Sequence, residues 1–487
     1  MVKGSDNLKF KAGEQVGISS ANSSTWLERL REVWRDIAGT FSGSVRADLS
    51  NDSDILDLRE QMKNCLEARG GEVSARARAA SLGETYLGLD MSGRRRFLQV
   101  LASSFQTDEM AVSDAISDYT AAKLNDISKA VTNLRMALEP RPIRLLTQFN
   151  ALPQGVKFLV DMRSDLLSFK QKDPFLQALE HDFRLLLTSW FDIGFLKLER
   201  ISWDHPASLL EKLIEYEAVH EMRGWGDLKN RLDADRRCFA FFHPRMPDEP
   251  LIFVQVALLN GLAESIDELL DPSSPTSEAG KADTAIFYSI SNAQSGLEGI
   301  SFGGFLIKRV VDLLRAEFPG LRQFATLSPI PGFRKWLEKS LDNGELNITP
   351  SEMAGLPKTN KENDDKIDGY QTFLKSFISS KEWYLDEVSE PAVRLILMRA
   401  AGKYLACCKR KDGIRALDPV ANFHLTNGAR IERLNWLADK SENGMKNAAG
   451  LMVNYLYDLE RIEANHEAYS IDGKTALSAE IKRLLKS

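Results

Sequence analysis

The chain has 487 residues, which is more than one hydrophobic core usually serves, so we expect at least two domains. Its 43% hydrophobic and 27% charged residues favour neither disorder nor a fibrous class, and no apolar run has the length that a bilayer crossing needs. The net charge of −6 argues against a general nucleic-acid binder, which would carry a basic excess. We therefore expect neither a nucleic-acid nor a membrane partner.

The cysteines and histidines suggest neither a disulfide framework nor a metal site. The cysteines have neither zinc-ligand spacing nor the density of a disulfide-stapled domain, and they are Cys65, Cys238, Cys407 and Cys408. The six histidines are scattered, and no HExxH motif occurs. We expect a reducing, cytoplasmic environment and no metal chemistry.

The N-terminal part of the chain has a helical pattern. Residues 1–24 are polar and rich in serine, which predicts a disordered leader rather than a secretory signal. From residue 25 to about 190, apolar residues recur at helical spacing, which predicts a helical bundle domain. Its first helix is expected to begin at a capping box of Thr25 and Glu28 and to end at Gly39. This domain offers no candidate chemistry and is interpreted as a scaffold.

From residue 191 onward, short β-rich runs replace the helical pattern. The runs "CFAFFH" and "PLIFVQVALL" predict an antiparallel hairpin closed by the turn "PRMPDEP", and "AIFYSIS" predicts the next strand. The sequence therefore predicts a second domain, residues 191–487, built around a sheet.

A cluster of glycines separates that last strand from an amphipathic helix, "FLIKRVVDLLRAEF". Gly299, Gly303 and Gly304 lie where free backbone N–H groups and a positive helix end would face an anion. The spacing is neither GxGxxG nor GxxxxGK[ST], which disfavours dinucleotides and P-loop chemistry. Two interpretations stay open: a tight structural turn, or a site for a pyrophosphate such as that of coenzyme A.

One serine and one histidine are candidates for a catalytic pair. Ser328 ends the run "FATLS" directly before "PIPGF", so it is expected at the mouth of a strand. His424 lies in "ANFHL", which predicts a short strand closed by the turn Thr426-Asn427-Gly428. If the two strands are adjacent, the hydroxyl and the imidazole form a dyad.

Two chemistries are open to this dyad. A nucleophilic serine is less favoured, because G-x-S-x-G is absent and Pro329 has no N–H for an oxyanion hole. The other chemistry is proton handling at a carbon next to a thioester, which suits a histidine that titrates near neutral pH.

The sequence resembles the malonyl-CoA decarboxylase family. The matching segments are "WFDIGFLKLERISW", "RRCFAFFHP", "AIFYSIS", "FLIKRVV", "SPIPGF", "DPVANFHL" with "NGA", and "GLMVNY", between about residues 185 and 456. The resemblance implies an α+β chain, in which an all-α helical bundle precedes a mixed-sheet domain of acyl-CoA N-acetyltransferase (GNAT-like) fold with extra helices. It also implies conversion of malonyl-CoA to acetyl-CoA and carbon dioxide without a metal or organic cofactor, in a homotetramer.

The resemblance assigns the site residues one by one. It implies that Ser328 and His424 are catalytic and bind the substrate, and that Tyr469 is a neighbour of the dyad. Asn427 and Gly428 either hold the turn that aims His424 or are ordinary turn formers. It implies a CoA-binding loop of Glu298, Gly299, Ile300, Ser301, Phe302, Gly303 and Gly304. Glu298 and Ser301 depart from the Gln or Arg and the small residue that acetyltransferase loops usually carry. Nearby cations either attract the CoA phosphates or form a solvated face, and they are Lys308, Arg309, Arg334 and Lys335.

The expected mechanism uses the dyad in two ways. Ser328 is expected to orient the malonyl carboxylate, and His424 is expected to protonate the carbanion that decarboxylation leaves. The chain ends in "LLKS" and not in the peroxisomal signal Ser-Lys-Leu, which favours a bacterial cytoplasmic enzyme. The rival predictions are an acyl-CoA-dependent acyltransferase and a non-enzymatic helical module with a CoA-sensing domain.

Overall fold

The computed structural model describes residues 19–39, 46–67, 72–170, 173–300, 305–356, 367–380 and 382–486. The chain divides into two compact units. The described residues of the first, helical unit fall within Met1–Lys197, Phe241–Leu251 and Asn292–Phe302. Those of the second unit fall within Leu198–Ala240, Ile252–Ser291 and Gly303–Ser487.

Nine helices among the described residues build the helical unit, as the periodicity predicts. They are α1 (Ser19–Ala38), α2 (Asp52–Leu66), α3 (Glu72–Leu87), α4 (Met91–Ser104), α5 (Glu109–Ala121), α6 (Ile127–Ala137), α7 (Arg141–Phe149), α8 (Gly155–Phe169) and α9 (Pro174–Trp190). The first helix begins six residues before Thr25, so the predicted capping box is wrong because Thr25 lies inside the helix. Gly39 has φ +55°, which fits the predicted helix end. Residues 1–18 of the predicted leader lie outside the described residues.

Aromatic side chains form the centre of the helical unit. The ring of Trp34 lies edge-on to Phe158 with 4.7 Å between centroids, and Tyr86 contacts the same ring at 5.6 Å. Trp34 also packs so closely on Gly83 that a Cβ there would lie 2.1 Å from the indole. Large aromatic groups bury the most apolar area per residue, which explains why these helices pack around them.

The described strands form one mixed sheet of eight strands. They are β1 (Lys197–Ile201), β2 (Arg236–His243), β3 (Met246–Leu259), β4 (Thr284–Asn292), β5 (Gln323–Thr326), β6 (Ser328–Pro329), β7 (Arg430–Asn435) and β8 (Met452–Leu456). The sheet order is β1-β2-β3-β4-β5-β8-β6, and β7 pairs with β8. β4 and β5 are parallel, whereas β5, β6 and β7 run antiparallel to β8. All eight residues of β2 are buried, which is typical of a strand covered on both faces.

The predicted hairpin and the predicted strand "AIFYSIS" are confirmed, but the hairpin turn is shorter than expected. β2 ends at His243 and β3 begins at Met246, so "PRMPDEP" is mostly strand. Proline is tolerated in a strand where its nitrogen does not face a ladder partner, which explains how Pro247 lies inside β3.

The second unit adds twelve helices among its described residues. They are α10 (Ala207–Tyr216), α11 (Trp225–Arg231), α12 (Ile266–Leu270), α13 (Phe305–Glu317), α14 (Phe333–Asp342), α15 (Pro350–Ala354), α16 (Ile367–Ser379), α17 (Glu390–Cys407), α18 (Pro419–Thr426), α19 (Glu442–Ala448), α20 (Ile462–Asp472) and α21 (Ala479–Leu484). β4, β5 and β8 contribute the fully buried side chains of Ile286, Ala325 and Met452 to one hydrophobic cluster.

Two general features concern all described ranges together. In them, no helix is both long enough and apolar enough to cross a bilayer. Across the same ranges, no three His, Cys, Asp or Glu side chains are grouped as ligands for a metal ion.

Candidate active site

Ser328 lies where the sheet changes from β5 to β6. β5 ends at Thr326, and β6 places Ser328 opposite Val453 of β8. Pro329 follows directly and contributes no N–H to a further ladder, so β6 stops after two residues. The predicted position of Ser328 at the mouth of a strand is thus confirmed.

β8 and the residue that follows it supply the neighbours of this serine. Directly opposed residues of an antiparallel pair share one face, and side chains alternate along a strand. Because Ser328 is opposite Val453, Tyr455 and Tyr457 lie on the face of the sheet that carries the serine.

His424 lies on a helix and not on a strand, so the prediction of a strand for "ANFHL" is wrong. α18 begins after Asp418, whose carboxylate accepts the N–H groups of Val420 and Ala421 at 2.9 Å each. Pro419 at the first helical position has the φ angle that a helix needs. This cap and proline together favour helix over strand, and they place His424 in the last turn.

A continuous chain of hydrogen bonds joins the two predicted residues to two others. Ser328 Oγ lies 3.1 Å from His424 Nε2 and donates to Thr326 Oγ1 at 2.8 Å. On the far side of the ring, His424 Nδ1 lies 2.7 Å from Tyr457 Oη. Ser328 and His424 are only 5% and 3% exposed, so the dyad is buried.

Burial determines the protonation states of the groups in this chain of hydrogen bonds. Desolvation lowers the pKa of His424 to about 3, so the imidazole is neutral at neutral pH. Burial also raises the pKa of Tyr457 well above its ordinary value, which keeps the phenol protonated. The direction of the two hydrogen bonds at the ring depends on the tautomer of His424. With the Ser328 proton directed to Thr326, the tautomer that satisfies both contacts has its proton on Nε2 and accepts from Tyr457 at Nδ1. In this tautomer His424 can donate a proton but cannot remove one from Ser328.

Sequence reasoning missed Thr326, Tyr455 and Tyr457. The ring of Tyr455 stacks on His424 with 4.6 Å between centroids, and its N–H donates to Thr326 Oγ1 at 3.1 Å. The available signal was the alternation in "VNYLYD", which puts two tyrosines on one face. The sequence does not show which face this is, because the strand register decides it.

Asn427 and Tyr469 both contact α18. The Asn427 N–H bonds to His424 O at 3.1 Å, and its side chain donates to Phe423 O at 2.7 Å, so it closes the helix behind the histidine. Tyr469 donates to Asn422 Oδ1 at 3.0 Å and accepts the Ala416 N–H at 2.6 Å. Tyr469 therefore braces the helix, whereas the phenol that bonds to His424 belongs to Tyr457.

The predicted CoA-binding loop is described only in part. Glu298 and Gly299 are exposed, Ile300 is buried, and Gly299 has φ +76°, a conformation that favours glycine. Ser301, Phe302, Gly303 and Gly304 lie outside the described residues. The segment follows the 3₁₀ turn Ser295–Leu297, which bonds the N–H of Glu298 to Ser295 O at 3.1 Å.

The four candidate cations differ in their surroundings. Lys308 Nζ lies 3.4 Å from Glu463 Oε1, and Arg309 lies on the same helix α13. Arg334 bonds to Glu338 at 3.0 Å and to Ile378 O at 2.9 Å, whereas Lys335 is exposed. Arg334 therefore has internal partners that account for its charge.

Comparisons with known proteins identify the family. The profile of the "Malonyl-CoA decarboxylase C-terminal domain" matches residues 194–487, and that of the "Malonyl-CoA decarboxylase N-terminal domain" matches residues 105–191. The chain is 37% identical over 407 residues to the mitochondrial malonyl-CoA decarboxylase of Anser anser anser, covering 81% of this chain and 80% of that protein. It is 38% identical over 412 residues to the Mus musculus protein of the same name, covering 81% of this chain and 82% of that protein.

Solved structures agree with this assignment. The malonyl-CoA decarboxylase of Agrobacterium vitis superposes with a TM-score of 0.79 at 43% identity, covering 88% of this chain and 99% of that one. The Rhodopseudomonas palustris structure of the same name gives a TM-score of 0.78 at 41% identity, covering 88% of this chain and 99% of that one. An N-terminal helical region followed by a mixed sheet is thus confirmed.

The comparisons also correct one expectation. The curated relatives from Anser anser anser, Mus musculus and Rattus norvegicus are named mitochondrial, so the expected cytoplasmic location is wrong by this comparison. The cysteine pattern indicates only a lack of disulfides, which does not distinguish between reducing compartments. Both domain profiles, the curated relatives and the solved structures agree that this chain is an enzyme of the malonyl-CoA decarboxylase family.

Proposed function

We propose that this chain releases carbon dioxide from malonyl-CoA and leaves acetyl-CoA, with Ser328 and His424 as the reacting dyad. The observation that carries the proposal is the 3.1 Å contact between Ser328 Oγ and His424 Nε2 in a chain of this family. The hydrogen bond that Ser328 donates to Thr326 supports proton donation by His424 over activation of a serine nucleophile.

The proposed reaction needs an oriented carboxylate and one proton donor. When the substrate binds, the Ser328 hydroxyl turns its proton from Thr326 to the malonyl carboxylate and holds this group out of the thioester plane, so that the breaking C–C bond overlaps with the carbonyl system. Carbon dioxide leaves, and the electron pair of that bond passes into a thioester enolate. His424 Nε2 then gives its proton to Cα, while Tyr457 donates to Nδ1 and stabilises the charge that develops on the ring. The ring regains its proton from water.

Three further features belong to this proposal. The loop Glu298–Gly304 binds the CoA pyrophosphate, and the order β4, loop, α13 and parallel β5 supports a GNAT-like fold. No metal or organic cofactor takes part. The chain forms a homotetramer, on the family resemblance alone, and light scattering of the purified protein at four times 54.6 kDa would support it.

Malonyl-CoA alone tests the reaction and its freedom from cofactors. Purified protein in EDTA, without an acyl acceptor, is expected to release one carbon dioxide per acetyl-CoA formed. An acyltransferase needs an acceptor, and a CoA sensor binds without turnover. Loss of malonyl-CoA only after an amine is added, or binding without product, contradicts the proposal.

Substitution of the dyad tests the two roles. Ser328→Ala and His424→Asn should each lower kcat by at least about a hundredfold, because each removes a group that acts in the transition state. CoA affinity, measured by calorimetry, should change less than about threefold, since the phosphates carry most of the contacts to CoA. His181→Asn changes an exposed histidine of α9 and serves as the control. Near-normal turnover in either dyad variant would refute its role.

A further inference from the structure

A buried arginine of the helical unit is bonded to the segment that opens the CoA-binding loop. Arg163 lies on α8 and is only 1% exposed. Its Nη1 donates to the carbonyl oxygen of Gly296 at 2.5 Å, and its Nη2 donates to the carbonyl oxygen of Glu298 at 2.9 Å. One guanidinium therefore binds two carbonyl oxygens of the same short segment.

The charge of Arg163 is compensated on its other side. Nη2 also lies 2.8 Å from Glu180 Oε1, and Lys170 Nζ lies 3.3 Å from Glu180 Oε2. A buried guanidinium needs such a partner, because an unpaired charge in the interior is costly. Glu180 holds the guanidinium in place. The guanidinium also donates to two carbonyl oxygens of the segment.

Two more contacts fix the segment against α8. Ser164 Oγ lies 2.8 Å from Ser295 Oγ. Gly296 packs so tightly that a Cβ there would lie 1.8 Å from Val160 O, so only glycine fits. The segment from Ser295 to Glu298 is thus attached along one face of the helix, with Arg163 as its charged contact.

The carbonyl contacts determine where the next amide points. Within a planar trans peptide, the C=O of one residue and the N–H of the next point in opposite directions. Because the Glu298 carbonyl faces Arg163, the Gly299 N–H points away from the guanidinium. Gly299 is exposed, and among the described residues its N–H has no hydrogen-bond partner. An outward-pointing backbone N–H at an exposed glycine is the kind of group that binds phosphate oxygens.

We infer that Arg163 is a positioning residue for binding the diphosphate of CoA. It holds the carbonyl oxygens of Gly296 and Glu298 inward, where they do not repel an anion, and so presents the Gly299 amide to the phosphate. This inference rests on the proposed function, since it assigns the loop to the CoA part of the substrate. Helix α8 thereby contributes to substrate affinity through Arg163, which does not itself touch the substrate.

The test compares a substrate that carries the diphosphate with one that lacks it. Arg163→Met should raise KM for malonyl-CoA about tenfold and weaken CoA binding in calorimetry by a similar factor, whereas kcat falls less than about threefold. With malonyl-N-acetylcysteamine, which has the thioester but no diphosphate, kcat/KM should be unchanged. Arg163→Lys keeps the charge but cannot bind both carbonyls in the same way, so about half of the effect on a logarithmic scale is expected.

Arg94→Met is the matched control, because Arg94 is also largely buried in the helical unit and bonds to Asp165 at 3.1 Å instead of the segment. Equal losses with both substrates in the Arg163 variants, or the same KM change in Arg94→Met, would mean a merely structural role and overturn the inference. So would unchanged CoA affinity in folded Arg163→Lys and Arg163→Met. If the wild-type chain binds CoA but releases no carbon dioxide, the proposed function fails while the binding comparison still decides the role of Arg163.

Discussion

At the scale of single residues, His424 has two tyrosine neighbours that contact it in different ways. Tyr455 stacks on the imidazole, and its hydroxyl is buried with no hydrogen-bond partner among the described residues. Tyr457 places its ring at an angle to the imidazole and bonds to Nδ1 at 2.7 Å. Tyr455 therefore contributes ring packing to His424, and Tyr457 contributes a hydrogen bond.

Removing one hydroxyl at a time should show which contribution supports catalysis. Tyr457→Phe should lower kcat about tenfold, because losing one hydrogen bond to the proposed proton donor costs about 1–1.5 kcal/mol in the transition state. Tyr455→Phe should leave kcat within about twofold, since its hydroxyl has no bond to lose. Steady-state kinetics on malonyl-CoA measure both, and equal effects in the two variants would contradict the assigned role of Tyr457.

The sequence predicted part of this site. Ser328 could be placed because prolines end a strand in a way that local chemistry determines. His424 was paired with it correctly, although the predicted element was wrong. Tyr457 could not be assigned, because its contact with His424 depends on the register between β6 and β8, which is not a local property.

At the scale of elements, α18 shows how a short apolar run is misread. "VANFHL" has both an alternating and a helical pattern, so periodicity alone does not distinguish strand from helix. Asp418 and Pro419, a capping residue and a first-turn proline, indicate the helix. The other end is formed by Asn427 and by Gly428 at φ +79°, whose position close to Ile462 O leaves no room for a Cβ.

Two glycines with similar backbone angles allow a matched test of this helix end. Gly428→Ala should destabilise the protein by more than about 3 kcal/mol and lower kcat, because its Cβ would lie 2.0 Å from Ile462 O. Gly413→Ala has φ +72° with nothing within 4 Å of the new Cβ, so only the backbone strain of about 1 kcal/mol is expected. Urea unfolding measures the difference, and similar losses in both variants would show that the contact with Ile462 is unimportant.

At the scale of the whole molecule, buried titratable groups link stability to pH. Burial lowers the pKa of His424 to about 3, and burial together with the charge of Arg231 lowers the pKa of His220 to about 3. Burial acts in the opposite direction on an acid and raises the pKa of Asp418 to about 6. In the native protein, both histidines are neutral at pH 6, where the unfolded chain would bind protons.

Acidification should therefore destabilise the protein before most carboxylates titrate. The histidine contribution is complete above the unfolded pKa of about 6.5 and is lost as pH falls, by about 1.3 kcal/mol per histidine between pH 7 and 5.5. Asp418 contributes in the other direction, because its raised pKa favours the native state at low pH by about 0.8 kcal/mol over that interval. Between pH 7 and 5.5 we therefore expect the free energy of unfolding, measured with urea, to fall by about 2 kcal/mol.

The variant His220→Gln separates the two histidines. This variant lacks one of the two histidines with a lowered pKa. Between pH 7 and 5.5 its free energy of unfolding should therefore fall by about 1 kcal/mol less than that of the wild type. The comparison is made within each protein, so any general destabilisation by the substitution cancels. An identical pH dependence in both proteins would show that His220 is not held neutral by the fold.

The division into a helical and a sheet-containing part follows from the change of periodicity near residue 191. The sequence did not show that residues 292–300 pack with the helical unit. That grouping depends on contacts such as Arg163 with Glu298, which join positions 135 residues apart. Periodicity describes local structure, so it carries no information about such a pairing.

The attachment of the Ser295–Glu298 segment to α8 limits where this chain can be divided. A cut near residue 191 would leave the guanidinium of Arg163 on one fragment and the carbonyl oxygens of Gly296 and Glu298 on the other. Because the loss of hydrogen-bond partners of a buried charge is costly, the N-terminal fragment should be less stable alone than within the whole chain.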